Sequence, residues 1–159
     1  MNKTVINAEP GRQDYTVIRE FDAPRELVFK AHVDPKLLAQ WLGPRDLEMI
    51  VEKLDAKPGG EYRYINKDKD GNAYSFYGVF HDVTAPERII QTFEFEGLPE
   101  RGHVVLTTVK LEALPNNRTR LTALDVYQSG ADRDAAMASG MESGVVEGYE
   151  QLDELLAKK

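Results

Sequence analysis

Residues 132–159 read DRDAAMASGMESGVVEGYEQLDELLAKK, and this stretch decides the fold. Apolar side chains recur in it every three or four residues, which is the spacing of one face of an α-helix. The row consists of Met137, Met141, Val145, Tyr149, Leu152 and Leu156. This spacing predicts one long amphipathic helix, and its apolar face needs a partner elsewhere in the chain.

A second row on the same predicted helix consists of glycines at steps of four residues, Gly140, Gly144 and Gly148. Glycine inside a helix costs about 1 kcal/mol relative to alanine, so the row indicates that something packs closely against this face. The alternative is space left for a ligand, but a glycine gap in a core usually admits backbone, and we favour close packing. Gly144→Leu is then expected to destabilise the protein by about 1–3 kcal/mol through overpacking.

The residues before this helix supply its partner. Alternation at 14–22 predicts a strand, and two short helices follow, the second beginning at Asp34-Pro35. Turns rich in glycine, proline and asparagine then separate further strands at 47–54, 61–66, 73–84, 88–96, 104–114 and 119–127. We predict an α+β fold in which an antiparallel sheet of about six or seven strands wraps around the C-terminal helix.

Length and charge limit the class of protein. We predict a single domain at 14–159 behind a flexible lead-in at 1–13. With 27 acidic and 20 basic residues the net charge is -7, which argues against nucleic acid and anionic membranes as partners. No apolar run reaches the ~20 residues of a membrane span, and the N-terminus lacks a signal-peptide core, so we expect a cytoplasmic protein.

Few residues suggest covalent chemistry. The chain has no cysteine and no G-x-S-x-G motif, and His32, His81 and His103 lack the spacing of metal ligands. We therefore predict no catalytic residue, no metal and no cofactor. Strand carboxylates are expected to point outward into solvent, and Arg19 and Arg63 are candidates for an inward charge paired with one of them. These carboxylates are Glu61, Asp82, Glu94 and Asp125.

Six segments together resemble a known family. They are FDAPRELVFKAHVDPKLLAQWLGP (21–44), KPGGEYRY (57–64), FYGVF (76–80), PERII (86–90), TRLT (119–122) and RDAAMASGMESGVVEGYEQLDELL (133–156). The chain resembles the START-like, birch-allergen-like (SRPBCC) superfamily, and within it the bacterial branch related to activators of the heat-shock-protein-90 ATPase. This resemblance implies the helix-grip fold and a cavity between the sheet and the long helix.

The resemblance also implies that this cavity binds a lipid, a polyketide or a similar apolar or amphipathic molecule without catalysis. Two alternatives stay open: a cyclase or hydrolase that uses the same cavity, and a stress- or chaperone-associated interaction protein. Eukaryotic activators carry a separate N-terminal chaperone-binding domain for which this length has no room, so we expect no chaperone partner, and a homodimer is left open.

Nine residues are predicted to line the ligand site, chosen among the sheet aromatics, the histidines and the helix row. They are Trp41, Tyr62, Tyr64, Phe76, Phe93, His103, Met137, Met141 and Tyr149. Methionine side chains adapt to irregular ligands, and tyrosine hydroxyls suit an amphipathic one. Trp41 can equally anchor the second short helix or border the cavity mouth. The strand at 73–84 has aromatics on both faces, so parity does not select its inner face.

Overall fold

Residues 2–158 of the protein are described from a computed structural model. Met1, which begins the predicted lead-in, and Lys159, which ends the predicted domain, lie outside the described residues. The strands are β1 (Val5–Asn7), β2 (Asp14–Phe21), β3 (Glu48–Leu54), β4 (Glu61–Lys67), β5 (Ala73–Thr84), β6 (Arg88–Phe95), β7 (Val105–Leu114) and β8 (Arg118–Val126). The helices are α1 (Arg25–Val33), α2 (Pro35–Trp41), α3 (Gly130–Ala138) and α4 (Met141–Leu156).

All eight strands form one antiparallel sheet in the order β1-β2-β8-β7-β6-β5-β4-β3. Strands β3 to β8 follow one another as a meander, and β2 joins the sheet beside β8. The prediction of an α+β helix-grip fold is confirmed, with a strand count somewhat above the predicted six or seven. The additional strand, β1, lies in the segment predicted as a flexible lead-in and pairs with β2.

One face of the sheet forms the core. Along β2, the side chains of Tyr15, Val17, Arg19 and Phe21 are buried and alternate with partly exposed neighbours. Their partners on β8 lie on the same face, because residues opposite each other in an antiparallel pair share a face. These partners are, in order, Asp125, Ala123, Leu121 and Thr119. We call this side of the sheet the inner face.

Local sequence features determine where α2 begins and how it contacts α1. Pro35 occupies the first turn of α2, and the Asp34 side chain caps this helix by accepting hydrogen bonds from the amides of Lys36 (2.9 Å) and Leu37 (3.4 Å). The indole of Trp41, the last residue of α2, donates a hydrogen bond to the Ala31 carbonyl of α1 at 2.9 Å. This bond ties the two helices together beneath α4.

The predicted single C-terminal helix is wrong in one respect, because it is broken into α3 and α4 at Ser139 and Gly140. Gly140 has a φ of 85°, a left-handed conformation that suits glycine and ends helices. The Ser139 amide bonds back to the Ala135 carbonyl at 3.1 Å, which closes the last turn of α3. Gly140 therefore acts as a helix stop, and it does not belong to a packed glycine row.

The other two glycines face α2 and the turn after it, and not the sheet. A Cβ atom at Gly148 would lie 3.3 Å from the Trp41 carbonyl oxygen and 3.4 Å from the Gly43 nitrogen. At Gly144 it would meet only Pro44, at an ordinary 3.5 Å. Close backbone packing is therefore confirmed at Gly148, and the tight position is one turn further along than the predicted Gly144.

Within residues 2–158, no helix is both long enough and apolar enough to cross a bilayer.

Candidate functional site

Four buried tyrosines and one partly buried tyrosine meet at the inner face. Tyr15 on β2 and Tyr127, just beyond β8, have ring centroids 5.9 Å apart. Tyr62 and Tyr64 on β4 stack at 5.3 Å, and Tyr149 reaches the core from α4, with its ring 5.8 Å from that of Phe21. We call Tyr15, Tyr62, Tyr64, Tyr127 and Tyr149 the tyrosine group. It contains three of the predicted ligand residues.

Asp125 lies among these tyrosines, and the expectation that it points outward is wrong. Its neighbours across the sheet are Tyr15 on β2 and Thr107 on β7, both on the inner face. Its Oδ1 atom is out of reach of solvent and has no hydrogen-bond partner among residues 2–158. Burial raises the pKa of the Asp125 carboxyl above its ordinary value, and the nearby Tyr15 and Thr107 hydroxyls offset this only in part.

Burial also raises the pKa of every hydroxyl in the tyrosine group, and the nearby Asp125 carboxyl raises it further. The pKa of Tyr127 rises to about 12. At neutral pH these hydroxyls therefore stay protonated and can donate hydrogen bonds. The inner face thus combines one carboxyl with several neutral hydroxyl groups.

Partly exposed apolar side chains of β3, β5, β6, α3 and α4 pack against the core, and contacts of Phe76 with Tyr64 and of Met141 with Tyr127 place them beside the tyrosine group; we call this set of side chains the groove. Phe76 on β5 stacks with Phe93 on β6 at a centroid distance of 5.2 Å, which shows that Phe76 and not Tyr77 points inward on β5. On the helix side, Met141 is placed against the sheet by Tyr127, whose hydroxyl lies 3.7 Å from the methionine sulfur. The groove residues, all partly buried and packed against the core, are Met49, Val51, Phe76, Phe93, Met137, Met141 and Val145.

Trp41 lies in the interior and is only 4% exposed. Its ring stacks on Tyr149 at 5.9 Å and meets the edge of His32 at 4.9 Å. These contacts support the interpretation of Trp41 as an anchor between α1, α2 and α4. Desolvation in the same place lowers the pKa of His32, although its Nδ1 lies 2.8 Å from the Val28 carbonyl oxygen.

His103 lies at the junction of β7 and α3. Its Nδ1 atom is 2.9 Å from a carboxylate oxygen of Asp132 in the first turn of α3, and its Nε2 atom is 3.4 Å from Glu100. The hydrogen bond and charge of Asp132 raise the pKa of the His103 imidazole. The structure therefore groups His103 with surface carboxylates, while Tyr62, Tyr64, Phe76, Phe93, Met137, Met141 and Tyr149 come together around the inner face.

Of the two arginines considered for an inward charge, only Arg19 points inward. Its buried guanidinium pairs with Asp153 of α4 and not with any of the strand carboxylates, and it lies 5.6 Å from the centre of the Phe21 ring. Arg63 lies on the outer face, where it pairs with Glu96 at 2.8 Å and also with Glu52. The arginine on β2 thus attaches the terminal helix to the sheet.

The predicted enclosed cavity between helix and sheet stays a prediction. Two clefts are prominent in the described part of the chain, and both lie elsewhere. One of about 590 Å³ is lined mainly by outer-face residues of β3 to β6, such as Arg63 and Tyr77, and by Glu96 and Arg101 in the following loop; of the predicted ligand residues it touches Tyr62. The other, of about 370 Å³, lies between the segments 45–48 and 67–69. No set of three or more histidine, aspartate or glutamate side chains between residues 2 and 158 is placed to hold a metal ion.

The fold and its sequence match one family. The family model described as Activator of Hsp90 ATPase homolog 1-like protein matches residues 22–157. The chain belongs to this family. No curated protein matches the chain. The predicted resemblance to this branch is therefore confirmed over nearly the whole length of the protein.

Solved structures of bacterial proteins show the same architecture as this chain. A protein of Arthrobacter aurescens is 28% identical with a TM-score of 0.88, and the match covers 98% of this chain and 92% of that one. A protein of Rhodobacter sphaeroides is 27% identical with a TM-score of 0.87, covering 98% and 100%. One of Chromobacterium violaceum is 26% identical with a TM-score of 0.81, covering 91% and 96%.

Proposed function

We propose that the protein binds an apolar or amphipathic small molecule in the groove between α3–α4 and the inner face of the sheet. The observation that supports this proposal is the incomplete burial of the groove side chains. These apolar side chains stay partly exposed on the side of the sheet that the helices cover, where a filled core would bury them. Removing apolar surface from water is worth about 25 cal/mol per Å², so a ligand that covers these side chains gains affinity from them.

The composition of the groove suits such a ligand. Methionines at 137 and 141 can adapt to its shape, since their unbranched side chains have several rotatable bonds. The tyrosine group and Asp125 supply polar groups beside this apolar surface. Ligand sites usually combine a mostly apolar lining with a few polar groups in this way. Membership of the Activator of Hsp90 ATPase homolog 1-like family supports the proposal, because the helix-grip fold commonly binds hydrophobic ligands.

Native mass spectrometry of freshly purified protein tests the proposal, followed by titration with the neutral fluorescent dye Nile red. We expect a retained small molecule or saturable dye binding. Met141→Gln in the groove should weaken binding, and Leu106→Gln is the matched control, because Leu106 is a 43% exposed apolar side chain on the outer face. Equal losses in both variants, or no bound molecule and no dye uptake by the wild type, would refute a groove site.

A second candidate, an acid–base enzyme of the cyclase or hydrolase type, is favoured by Asp125. Burial raises the pKa of its carboxyl, so the group holds its proton to higher pH than an ordinary carboxyl, and in that form it can protonate a carbonyl or leaving-group oxygen. Hydrolysis of 4-nitrophenyl butyrate is a direct test of hydrolase activity. The enzyme hypothesis predicts turnover that Asp125→Asn abolishes, whereas the binding hypothesis predicts no turnover by either protein.

A further inference from the structure

We propose that Asp125 is the polar contact by which the groove selects its ligand, favouring an uncharged molecule with a hydroxyl or carbonyl group over anionic and purely hydrocarbon counterparts. This inference rests on the proposed function and adds to it the chemical class of the ligand.

The first support is geometric. Asp125 lies on the inner face near the end of β8, between Tyr15 on one neighbouring strand and Thr107 on the other. Its Oδ1 atom is buried and unpaired within the described chain. In folded proteins nearly all buried polar side-chain atoms have a hydrogen-bond partner, and an exception points to a functional role. An unpaired carboxyl oxygen on the face that the helices cover can therefore pair with a ligand that enters between the helices and the sheet.

The second support is the absence of a positive charge close to this carboxyl in the described chain. The groups that affect its ionisation are the hydroxyls of Tyr15 and Thr107, and the surrounding tyrosines on β4, β8 and α4 are themselves neutral. Of the buried arginines, Arg19 pairs with Asp153, and Arg133 donates to the carbonyl oxygens of Glu9 and Asp14 and pairs with Asp134. Their charges act on the pKa of Tyr149 and Tyr127, respectively, and not on that of Asp125. Burial without a counterion favours the protonated carboxyl.

A protonated carboxyl group offers one O–H donor and one carbonyl acceptor. A ligand hydroxyl can use both, and a ligand carbonyl can accept from the O–H. A hydrocarbon leaves both unpaired, and an anion must be transferred into a low-dielectric place beside a carboxyl that has no paired cation. Because an analogue without the hydrogen-bonding group leaves the polar groups of the site unpaired, such sites discriminate strongly against it.

Four probes of one shape separate these cases: naphthalene, 2-naphthol, 2-naphthoate and 2-naphthylmethylamine, each measured by displacement of Nile red at pH 7. We expect the wild type to bind 2-naphthol at least about tenfold more tightly than naphthalene, which corresponds to one useful hydrogen bond. Naphthoate should bind more weakly than naphthol. The amine should bind no more tightly than naphthol, because its positive charge is stabilised only if Asp125 ionises.

Variants assign the preference to Asp125. Asp125→Leu should bind naphthalene and 2-naphthol equally, and Asp125→Asn, whose amide also donates and accepts, should keep part of the preference. Glu112→Leu on the exposed outer side of β7 is the matched control and should bind like the wild type. Circular dichroism verifies that each variant is folded.

The outcomes distinguish the two proposals. If naphthalene and naphthol bind equally to the wild type, if the naphthoate or the amine binds best, or if Asp125→Leu keeps the naphthol preference, this inference is wrong while the groove site stands. If no probe binds to the folded wild type, the groove site and this inference fail together.

Discussion

Gly148 of the terminal helix lies against the Trp41 carbonyl oxygen, so closely that a Cβ atom would stand 3.3 Å from it. The same carbonyl accepts a hydrogen bond from Gln151 Nε2 at 3.2 Å, and Gln151 also bonds the Gly43 carbonyl at 2.8 Å. Helix α4 is thus held against the end of α2 by backbone contact at one residue and by an amide side chain one turn later.

Replacement of Gly148 by leucine should destabilise the protein by about 1–3 kcal/mol, since the new side chain meets backbone atoms that cannot move aside. Gly144→Ala is the matched control. Its Cβ would only touch Pro44, and alanine is the better helix former by about 1 kcal/mol, so this variant should be as stable as the wild type or more stable. Urea unfolding measures both, and a Gly148→Leu protein of wild-type stability would contradict the packing.

Replacement of Gly78 on β5 should be more damaging. The Tyr62 hydroxyl donates to the Thr92 carbonyl across this glycine. A Cβ at Gly78 would stand 2.0 Å from the Thr92 oxygen and 2.7 Å from the Tyr62 ring. Gly78→Ala should therefore lower the free energy of unfolding by more than about 1 kcal/mol, through loss of the hydrogen bond and forced movement of the strand.

The comparison variant for Gly78→Ala is Gly130→Ala at the start of α3, where the nearest atom to a Cβ is the Arg12 oxygen at 3.6 Å. Thermal unfolding of both variants measures their melting temperatures, and Gly78→Ala should have the lower one. Equal melting temperatures for the two variants would show that the Tyr62 bond across β5 is dispensable.

Asp125→Asn should stabilise the protein at neutral pH. The folded-state pKa of this carboxyl is raised above its unfolded value of about 3.9, so the folded state holds the proton more tightly. Stability is then lost as the pH rises from about 4 through the folded-state pKa. Asparagine does not ionise, so its advantage should grow over this range and shrink below it. Urea unfolding between pH 4 and 8 measures the difference, and a constant difference would contradict the raised pKa.

Two histidines should make the stability of the protein depend on pH in opposite directions. The lowered pKa of His32 means that stability is lost as the pH falls through about 6.5, because the unfolded state takes up the proton first. The raised pKa of His103 means that its pairing with Asp132 stabilises the fold below about 6.5, and that this contribution is lost as the pH rises through the folded-state value.

The variants His32→Phe and His103→Asn separate these effects. His32→Phe keeps an aromatic ring beside Trp41 and should reduce the loss of stability on acidification. His103→Asn should reduce the loss on going from pH 6 to 8. The free energy of unfolding is measured at several pH values for each protein, and slopes that match the wild type in both variants would rule out these assignments.

The sequence was sufficient for the class of fold and for most strands, because turn residues and the change of hydrophobic period mark the boundaries. The sequence did not predict that the Asp125 side chain points inward. The opposite side of β8 carries Leu124 and Val126, so both faces of this strand have apolar residues and parity does not show which one is buried. Only the pairing of β8 with β2 and β7 places the carboxyl inward.

The terminal helix shows a second limit of the sequence pattern. The apolar row continues across Ser139 and Gly140, so periodicity alone predicts one helix. The break depends on the backbone conformation of Gly140. The sequence alone does not distinguish a glycine within a helix from a glycine whose left-handed conformation ends the helix. The sequence pattern also does not predict what Gly148 packs against, because α2 and α4 are more than a hundred residues apart in the chain and meet only in the folded protein.

The pairing of β2 with β8 has a kinetic consequence. Strands β3 to β8 can form in succession, each beside its neighbour in the chain, but Phe21 must find Thr119 and Asp14 must find Val126 before the sheet is complete. Loop-closure entropy opposes such distant contacts until they form, and proteins dominated by them fold slowly. We therefore expect the meander to acquire protection from hydrogen exchange before β2 does, and the attachment of α4 through Arg19 to follow, because that arginine reaches Asp153 only from a docked β2.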